Sequence, residues 1–417
     1  MIFKLGIKSL LNRKVTTFLC CFSISLSIAL LLGVERIRST AKEGFTNTIS
    51  GVDLLVGSRG SPVNLLLYSV FHIGEPINNI RYSSYKTISE LNSVAWTIPI
   101  SLGDAYKSFR VVGTNQLFFE KYKFRGDQKI QFNEGKPFSG IFDLVIGATV
   151  AKTLNHQIGD SVILSHGIQE ESLLHHEDSP FKVVGILKET STPIDKAVYI
   201  SLEGMEAIHL GWENGVPSDE EINRLDLKKE NLKTTQITSF LLKAKSRIAI
   251  LGLQRYIVNF NNEPLMGAIP AYTLLNLWET MSYLEKILFL VSSLVLLVGF
   301  FSIIIALYSS LNERRREMAI LRSVGAAPRH IFSLLFLESF LLNFFGILIG
   351  VLTLYIAGYF FQEVLATKFS VYMNNAFLSA SELKLLVIIF FIGTFIGMLP
   401  ALKAYRNSLS DGLTIKT

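Results

Sequence analysis

The segment Glu313-Arg-Arg-Arg-Glu-Met-Ala-Ile-Leu-Arg-Ser-Val-Gly-Ala-Ala-Pro-Arg329 is short, strongly basic and wedged between two long apolar runs, Ile287 to Leu311 and Ile331 to Phe361. Each run, at about 1.5 Å per residue, is long enough to cross a roughly 30 Å hydrocarbon core as a helix. The segment is therefore read as a loop held at one membrane face. Arg314, Arg315, Arg316, Arg322 and Arg329 outweigh Glu313 and Glu317, and short loops rich in Lys and Arg stay cytoplasmic. Within it Met318, Ala319, Leu321, Val324 and Gly325 follow approximate helical spacing, which predicts a short amphipathic helix with one apolar stripe and one basic face. A plain topology signal that touches anionic lipid head groups would look the same in charge alone.

The order of residues says more than the charge. Glu-Arg-Arg-Arg-Glu-Met-Ala-Ile-Leu-Arg-Ser-Val-Gly-Ala resembles the cytoplasmic coupling helix of the MacB, LolC/LolE and FtsX permeases of ABC transporters. In that family the helix sits in a groove of the ATPase, and closure of the ATPase dimer on ATP moves stalks and periplasmic domains. The resemblance implies docking contacts at Glu313, Arg314, Arg315, Arg316, Glu317, Met318, Leu321, Arg322, Ser323 and Gly325, and no catalytic groups among them. It also implies an ABC ATPase subunit carrying ATP and Mg, a second permease copy, and a periplasmic lipoprotein or adaptor, with lipoprotein handling the leading expectation for cargo.

Outward from this loop, the 417 residues are 49% hydrophobic and 18% charged, the balance of a membrane protein with a sizeable soluble part. The net charge of +6 is concentrated beside apolar runs, which speaks against a nucleic-acid partner and for contact with membrane lipids. Cys20 and Cys21, adjacent in the first apolar run, supply neither a disulfide framework nor metal-ligand spacing.

Lys4, Lys8, Arg13 and Lys14 precede Val15 to Val34, a stretch of 20 residues without a charge. A cleavable signal peptide also begins basic and then apolar, but this run is long for a signal core. Glu35, Arg36 and Arg38 do not resemble a small-residue cleavage site. The expected organisation is a cytoplasmic segment 1–14, a first membrane helix 15–34, an extracytoplasmic domain 35–283, membrane helices 284–311, 331–361 and 383–402, the coupling loop 312–330, an outside connection 362–382 and a cytoplasmic tail 403–417. The fold class is thus four transmembrane α-helices, one before and three after a mixed α+β extracytoplasmic domain, with both termini inside. One helix, a large domain and three helices is also the topology of the family resembled.

Within the domain, strand signals fall at Val52 to Gly57, Ala95 to Leu102, Ser108 to Gly113, Leu144 to Ile146, Ser161 to Ser165, Phe181 to Leu187, Ala197 to Leu202 and Thr238 to Lys243. Helices are expected at Tyr82 to Leu91, Gly147 to Leu154 and Ser246 to Phe260, with stalks from Arg36 to Ile49 and from Tyr272 to Tyr283. A smaller inserted subdomain is expected over roughly 115–230. Val63 to Ile73 is very apolar and reads either as a core helix or as a lipid-facing or substrate-touching element.

Several constellations carry chemistry. No G-x-x-x-x-G-K-[ST] is present and Gly135-Lys136 runs into proline, so ATP hydrolysis is expected on a separate chain and no cofactor on this one. No Ser-His-Asp elbow, HExxH or dinucleotide fingerprint supports an enzyme. Gly346 and Gly350, and Gly393 and Gly397, place small residues four apart on the third and fourth spans, a pattern for helix packing or subunit pairing. Glu338 lies about eight residues, on the order of 12 Å, inside the third span. An acid there calls for a polar partner such as a coupling-loop arginine, or for a transport role. His166, His175 and His176, with Glu177 and Asp178, are the metal-type cluster. Histidines and acids in a loop are more often solvated surface, so no metal is assigned and the three remain weak candidates.

Overall fold

The computed structural model describes residues 2–166, 179–210, 212–213, 216–217, 232–313, 320, 323, 325–369 and 378–410. It divides into two compact units, one of residues 1–40 with 282–417 and one of residues 41–281. The division falls inside two helices. The described helices are α1 (Ile2–Asn12), α2 (Lys14–Thr48), α3 (Pro62–Val70), α4 (Tyr82–Ser89), α5 (Leu117–Lys121), α6 (Ala148–Leu154), α7 (Leu202–His209), α8 (Arg247–Val258), α9 (Pro270–Glu313), α10 (Pro328–Phe369) and α11 (Ala380–Ser410).

The domain is built on one sheet of eleven strands among the described residues: β1 (Leu54–Ser58), β2 (Val94–Tyr106), β3 (Phe109–Thr114), β4 (Phe132–Gly135), β5 (Asp143–Ile146), β6 (Ser161–Val162), β7 (Ser165–His166), β8 (Phe181–Leu187), β9 (Ala197–Ser201), β10 (Ser239–Ala244) and β11 (Leu265–Ala268). The order is β11-β1-β10-β2-β3-β9-β5-β8-β4, with β7 on β2 and β6 on β8. Most pairs are antiparallel, but β9 runs parallel to β3 and β8 parallel to β5.

The strand periodicity of two sends neighbouring residues to opposite faces. Leu55 of β1, Leu241 of β10 and Tyr199 of β9 enter one continuous core, which also takes Leu65 and Leu66 of α3 and Phe118 of α5. Their sequence neighbours enter two other cores. Leu54, Val56, Phe240 and Leu242 meet Ile88 of α4 and Leu253 and Ile257 of α8. Val198 and Ile200 meet Val150 of α6 and Met205 and Ile208 of α7. A sheet covered on both faces explains why its strands read as near-continuous apolar runs. At Gly57 the approach of α3 is closest, since an added Cβ would lie 2.6 Å from Leu65 Cδ1. Val63 to Ile73 is therefore mostly core helix, with Ile73 exposed at its end.

Several boundaries differ from the expected ones for local reasons. The strand expected at 95–102 runs on to Tyr106 because β2 pairs with β10 over its first half and with β3 over its second. The strand expected at 161–165 is two short pieces, because β6 pairs with β8 and β7 with β2. Residues 115–230, expected as an inserted subdomain, contribute β4 to β9 to the same sheet.

Among the described residues, four helices are long and apolar enough to cross a membrane: Lys14–Thr48, Pro270–Ser309, Pro328–Gln362 and Ala380–Lys403. Ile24, Ile28 and Leu32 of α2 pack with Phe300, Ile303 and Leu307 of α9, Leu354 of α10 and Leu386 and Ile389 of α11. Helix α1, read only as a basic segment from sequence, packs Gly6 against Leu337 of α10 and leaves Phe3, Ile7 and Leu11 exposed. Helix α10 extends to Phe369, into the expected connection, and α11 continues through Pro400 to Ser410.

Candidate coupling loop and the helix contacts behind it

The loop of the basic segment joins α9 to α10. Gly325 has φ of +94°, a conformation that favours glycine and that commonly ends a helix. Three residues later Pro328 opens α10, where its missing N–H costs nothing. The start of α10 is tied by a reciprocal pair: the Ala327 N–H donates to His330 Nδ1 at 3.0 Å, and the His330 N–H donates to the Ala327 carbonyl at 2.8 Å. Ser323 Oγ donates to the Ile320 carbonyl at 2.8 Å, and Ile320 is exposed. Glu313 closes α9. Arg314, Arg315, Arg316, Glu317, Met318, Leu321 and Arg322 lie outside the described residues.

Behind the loop, Ile331 and Leu335 on the first turns of α10 pack on Ala401 of α11. One turn deeper Glu338 is buried, in a crevice lined by Ser9, Arg13, Thr17, Cys20, Ala306 and Leu342. Arg13, from the joint between α1 and α2, is a described arginine that lines this crevice, while Arg314, Arg315, Arg316 and Arg322 of the coupling loop lie outside the described residues. No local pattern announces this, because α1 folds back on α10 through tertiary packing.

The four glycines lie where helices approach closely. A Cβ on Gly346 would stand 2.7 Å from Ile24 Cβ, and one on Gly350 would stand 2.8 Å from both Ile28 Cβ and the Ser25 carbonyl oxygen. Both therefore seat α10 on α2. Gly393 of α11 faces the Asn343 amide, and Gly397 faces Ser339 of α10. Asn343 Nδ2 donates to the Phe390 carbonyl at 2.7 Å. Each of the four is covered by a neighbouring helix of the same chain. Opposite Gly299 of α9, Ser27 Oγ of α2 lies within 3.1 Å of the Val295 carbonyl.

A second polar cluster lies at the other end of the bundle. Arg36 Nε donates to Glu382 Oε1 at 2.8 Å, with the two side chains 8% and 6% exposed. Arg36 Nη2 donates to Tyr355 Oη at 3.0 Å, and the guanidinium lies 4.6 Å from the centre of that ring. Glu382 also accepts from the Ser379 N–H at 2.7 Å, while its own N–H donates to Ser379 Oγ. This is the reciprocal N-terminal cap of a Ser-x-x-Glu box. Arg38, two residues on, pairs with Glu35 at 2.6 Å and with Glu285 of α9 at 3.4 Å. Arg36 and Arg38 thus tie α2 to all three later spans. The Ser379-Ala-Ser-Glu382 cap is a local arrangement, whereas its arginine partner comes from a helix more than 300 residues earlier in the chain.

Among the described residues no three His, Cys, Asp or Glu side chains form a metal group. His175 and His176 lie outside the described residues, and His166 belongs to β7.

Comparison with known proteins bears on these two units separately. A family model described as the MacB-like periplasmic core domain matches residues 17–250, and one described as the FtsX-like permease C-terminal matches residues 289–409. Among curated relatives, the lipoprotein-releasing system transmembrane protein LolC of Neisseria meningitidis serogroup B is 21% identical over 231 residues, 54% of this chain and 50% of that protein. The macrolide export ATP-binding/permease protein MacB of Campylobacter jejuni is 26% identical over 230 residues, 54% of this chain and 32% of that one. The chain spans about half the length, or less, of these relatives. Among solved structures, the periplasmic region of MacB from Actinobacillus actinomycetemcomitans is 10% identical with a TM-score of 0.35, covering 56% of this chain and 94% of that one. The extracellular domain of YknZ from Gram-positive bacteria is 12% identical with a TM-score of 0.30, covering 51% and 98%. With a MacB-like core domain matched over more than half its length and an FtsX-like region over the three later spans, the chain belongs to the MacB/LolC-like family of ABC transporter permeases.

Proposed function

We propose that this chain is a non-catalytic permease subunit that couples ATP hydrolysis on a separate ABC ATPase to movement of its own extracytoplasmic domain. The observation that carries the reading is the continuity of α9. It runs unbroken for 44 residues, about 66 Å at helical rise, away from the basic loop. At its far end Leu274 is buried in the domain core and Trp278 stacks edge-on against Phe45 of α2. In this reading a push at the loop is passed along that helix toward the sheet domain.

In this reading Glu313 to Gly325 dock on the ATPase, which holds the ATP and Mg, and a second permease copy completes the transporter. The loop faces the cytosol and both termini lie on that side. Lipoprotein or lipid-like cargo is proposed, in line with the lipoprotein-releasing system of which the LolC relative is a transmembrane protein. Coexpression with the ABC ATPases of the source organism tests the coupling. A stable complex is expected, with an ATPase rate that falls roughly 10-fold, about 1.4 kcal/mol, in Arg322→Glu and Gly325→Val. If no ATPase copurifies, or if both variants leave the rate unchanged, the coupling reading fails and a membrane-anchored scaffold or sensor replaces it.

A further inference from the structure

Helix α8 is anchored in the sheet domain without its outer face. Ser246 caps its start, the side chain accepting from the Ala249 N–H at 3.3 Å, and Leu253 and Ile257 seat it in a core of the domain. The helical period turns Ile248, Leu251, Gly252 and Arg255 the opposite way. Ile248 is 92% exposed and Leu251 69%, so neither adds to the core. Exposed aliphatics scattered singly are ordinary, whereas these two stand one turn apart on one helix and make a patch. A Cβ on Gly252 would meet nothing within 4 Å. The middle of the face is thus a notch one side chain deep, with Ile248 a turn before it and the exposed Tyr256 a turn after.

The charge around this patch has one sign. Lys245 and Arg247 precede it, Arg255 lies on it, and Arg59 Nη2 donates to the Val258 carbonyl at 2.8 Å, which puts a further guanidinium at the end of the helix. All four side chains are exposed. Among the described residues none of them is in an ion pair, and the chain from Lys245 to Asn262 holds no Asp or Glu. Carboxylates are the groups that guanidinium ions take up with two parallel bonds, so the occupant this face fits carries acids beside apolar residues.

Two other occupants fit less well. A second copy in an isologous contact would set the patch on itself, arginine against arginine with no acid to separate them. A lipid surface takes helices whose charges lie on the face away from the apolar one, whereas Arg255 stands in line with Ile248 and Leu251, seven and four residues on. We propose that the outer face of α8 is a docking surface for an acidic amphipathic helix of another protein, one apolar side chain of which fills the notch at Gly252 while its Asp and Glu residues meet the surrounding cations. The surface belongs to the sheet domain and is independent of the ATPase coupling.

The test places the photo-crosslinking residue benzoylphenylalanine at Leu251 of the full chain, expressed in the source organism. Irradiation is expected to join one protein that the same probe at Lys86 of α4, also exposed, does not join. Mass spectrometry of the joined peptide should place the link in a helical segment with Asp or Glu three or four residues from its apolar positions. Arg247→Glu/Arg255→Glu should lower the yield at least about 10-fold, since it sets like charges against each other. Both positions are exposed, and an unchanged melting curve of the purified variant establishes that it folds. Absence of a crosslink overturns the proposal, as does a link to a second copy of this chain or to lipid, or a yield that the charge reversal leaves unchanged.

Discussion

Breaking the pair between Arg36 and Glu382 should destabilise the helix bundle more than its near-isosteric character suggests. Both side chains are less than a tenth exposed, and removing one member of a buried pair strands the other charge at a cost of about 3–5 kcal/mol. Arg36→Met removes the guanidinium from Glu382 and from the Tyr355 hydroxyl, while Glu382 keeps the Ser379 N–H at 2.7 Å. That remaining cap places the expected loss near the lower end, ~3 kcal/mol. Glu382→Gln keeps an acceptor for Ser379 but leaves Arg36 buried without its counter-charge, and a similar loss is expected. The double variant leaves no charge to strand. It should be less damaged than the sum of the two singles by ~2 kcal/mol or more, against the ~0.5 kcal/mol within which independent sites add. Reversible unfolding in mixed micelles, followed by tryptophan fluorescence, measures all three. Strict additivity would show that the two charges do not support each other and would refute the reasoning.

Other expectations follow from single contacts. Gly350→Val forces a side chain against Ile28 and the Ser25 carbonyl, and overpacking of this kind costs about 1–3 kcal/mol. The same unfolding assay should show partial rescue by Ile28→Ala. Asn343→Leu removes the bond from Nδ2 to the Phe390 carbonyl, and interhelical bonds of this type are worth about 0.6 kcal/mol and at most ~1.7, so a small but measurable loss is expected. In the sheet domain, burial, helped by the charge of Arg110, holds the His72 imidazole down at about 4 from its ordinary 6.5. The folded form therefore binds its proton less readily than the unfolded chain. Its contribution is present above pH ~6.5 and lost as pH falls toward 4, about 3 kcal/mol in all. Melting curves of the wild type should fall steeply over that window, and His72→Phe should flatten the slope.

The membrane helices, the sheet strands and the family were legible because each rests on a local pattern. Val15 to Val34 and Ile331 to Phe361 are long and predominantly apolar, and Phe181 to Leu187 became a strand with the boundaries its β-branched run suggested. The site was legible only in part. The glycine pairs announced close packing by their spacing, but nothing local to Gly350 indicates Ile28, which lies more than 300 residues earlier in the chain. Glu338 stood out as an acid in an apolar run, yet Arg13 shares its crevice only because α1 turns back along α10. Arg36 read as a charge at the end of a span and is instead the buried partner of Glu382.

The basic loop and the apolar runs around it determined by themselves that this chain spans a membrane, where the large domain is inserted and which family it joins. These depend on hydropathy, charge and residue order within a few turns of helix. Tertiary structure alone decided which polar groups meet. Asp104 faces His209, Arg36 faces Glu382 and Asn343 reaches the Phe390 carbonyl, each across a sheet or a helix interface whose register no short stretch encodes. A buried polar group must find its partner wherever the fold brings one, and that place is a property of the packed chain as a whole.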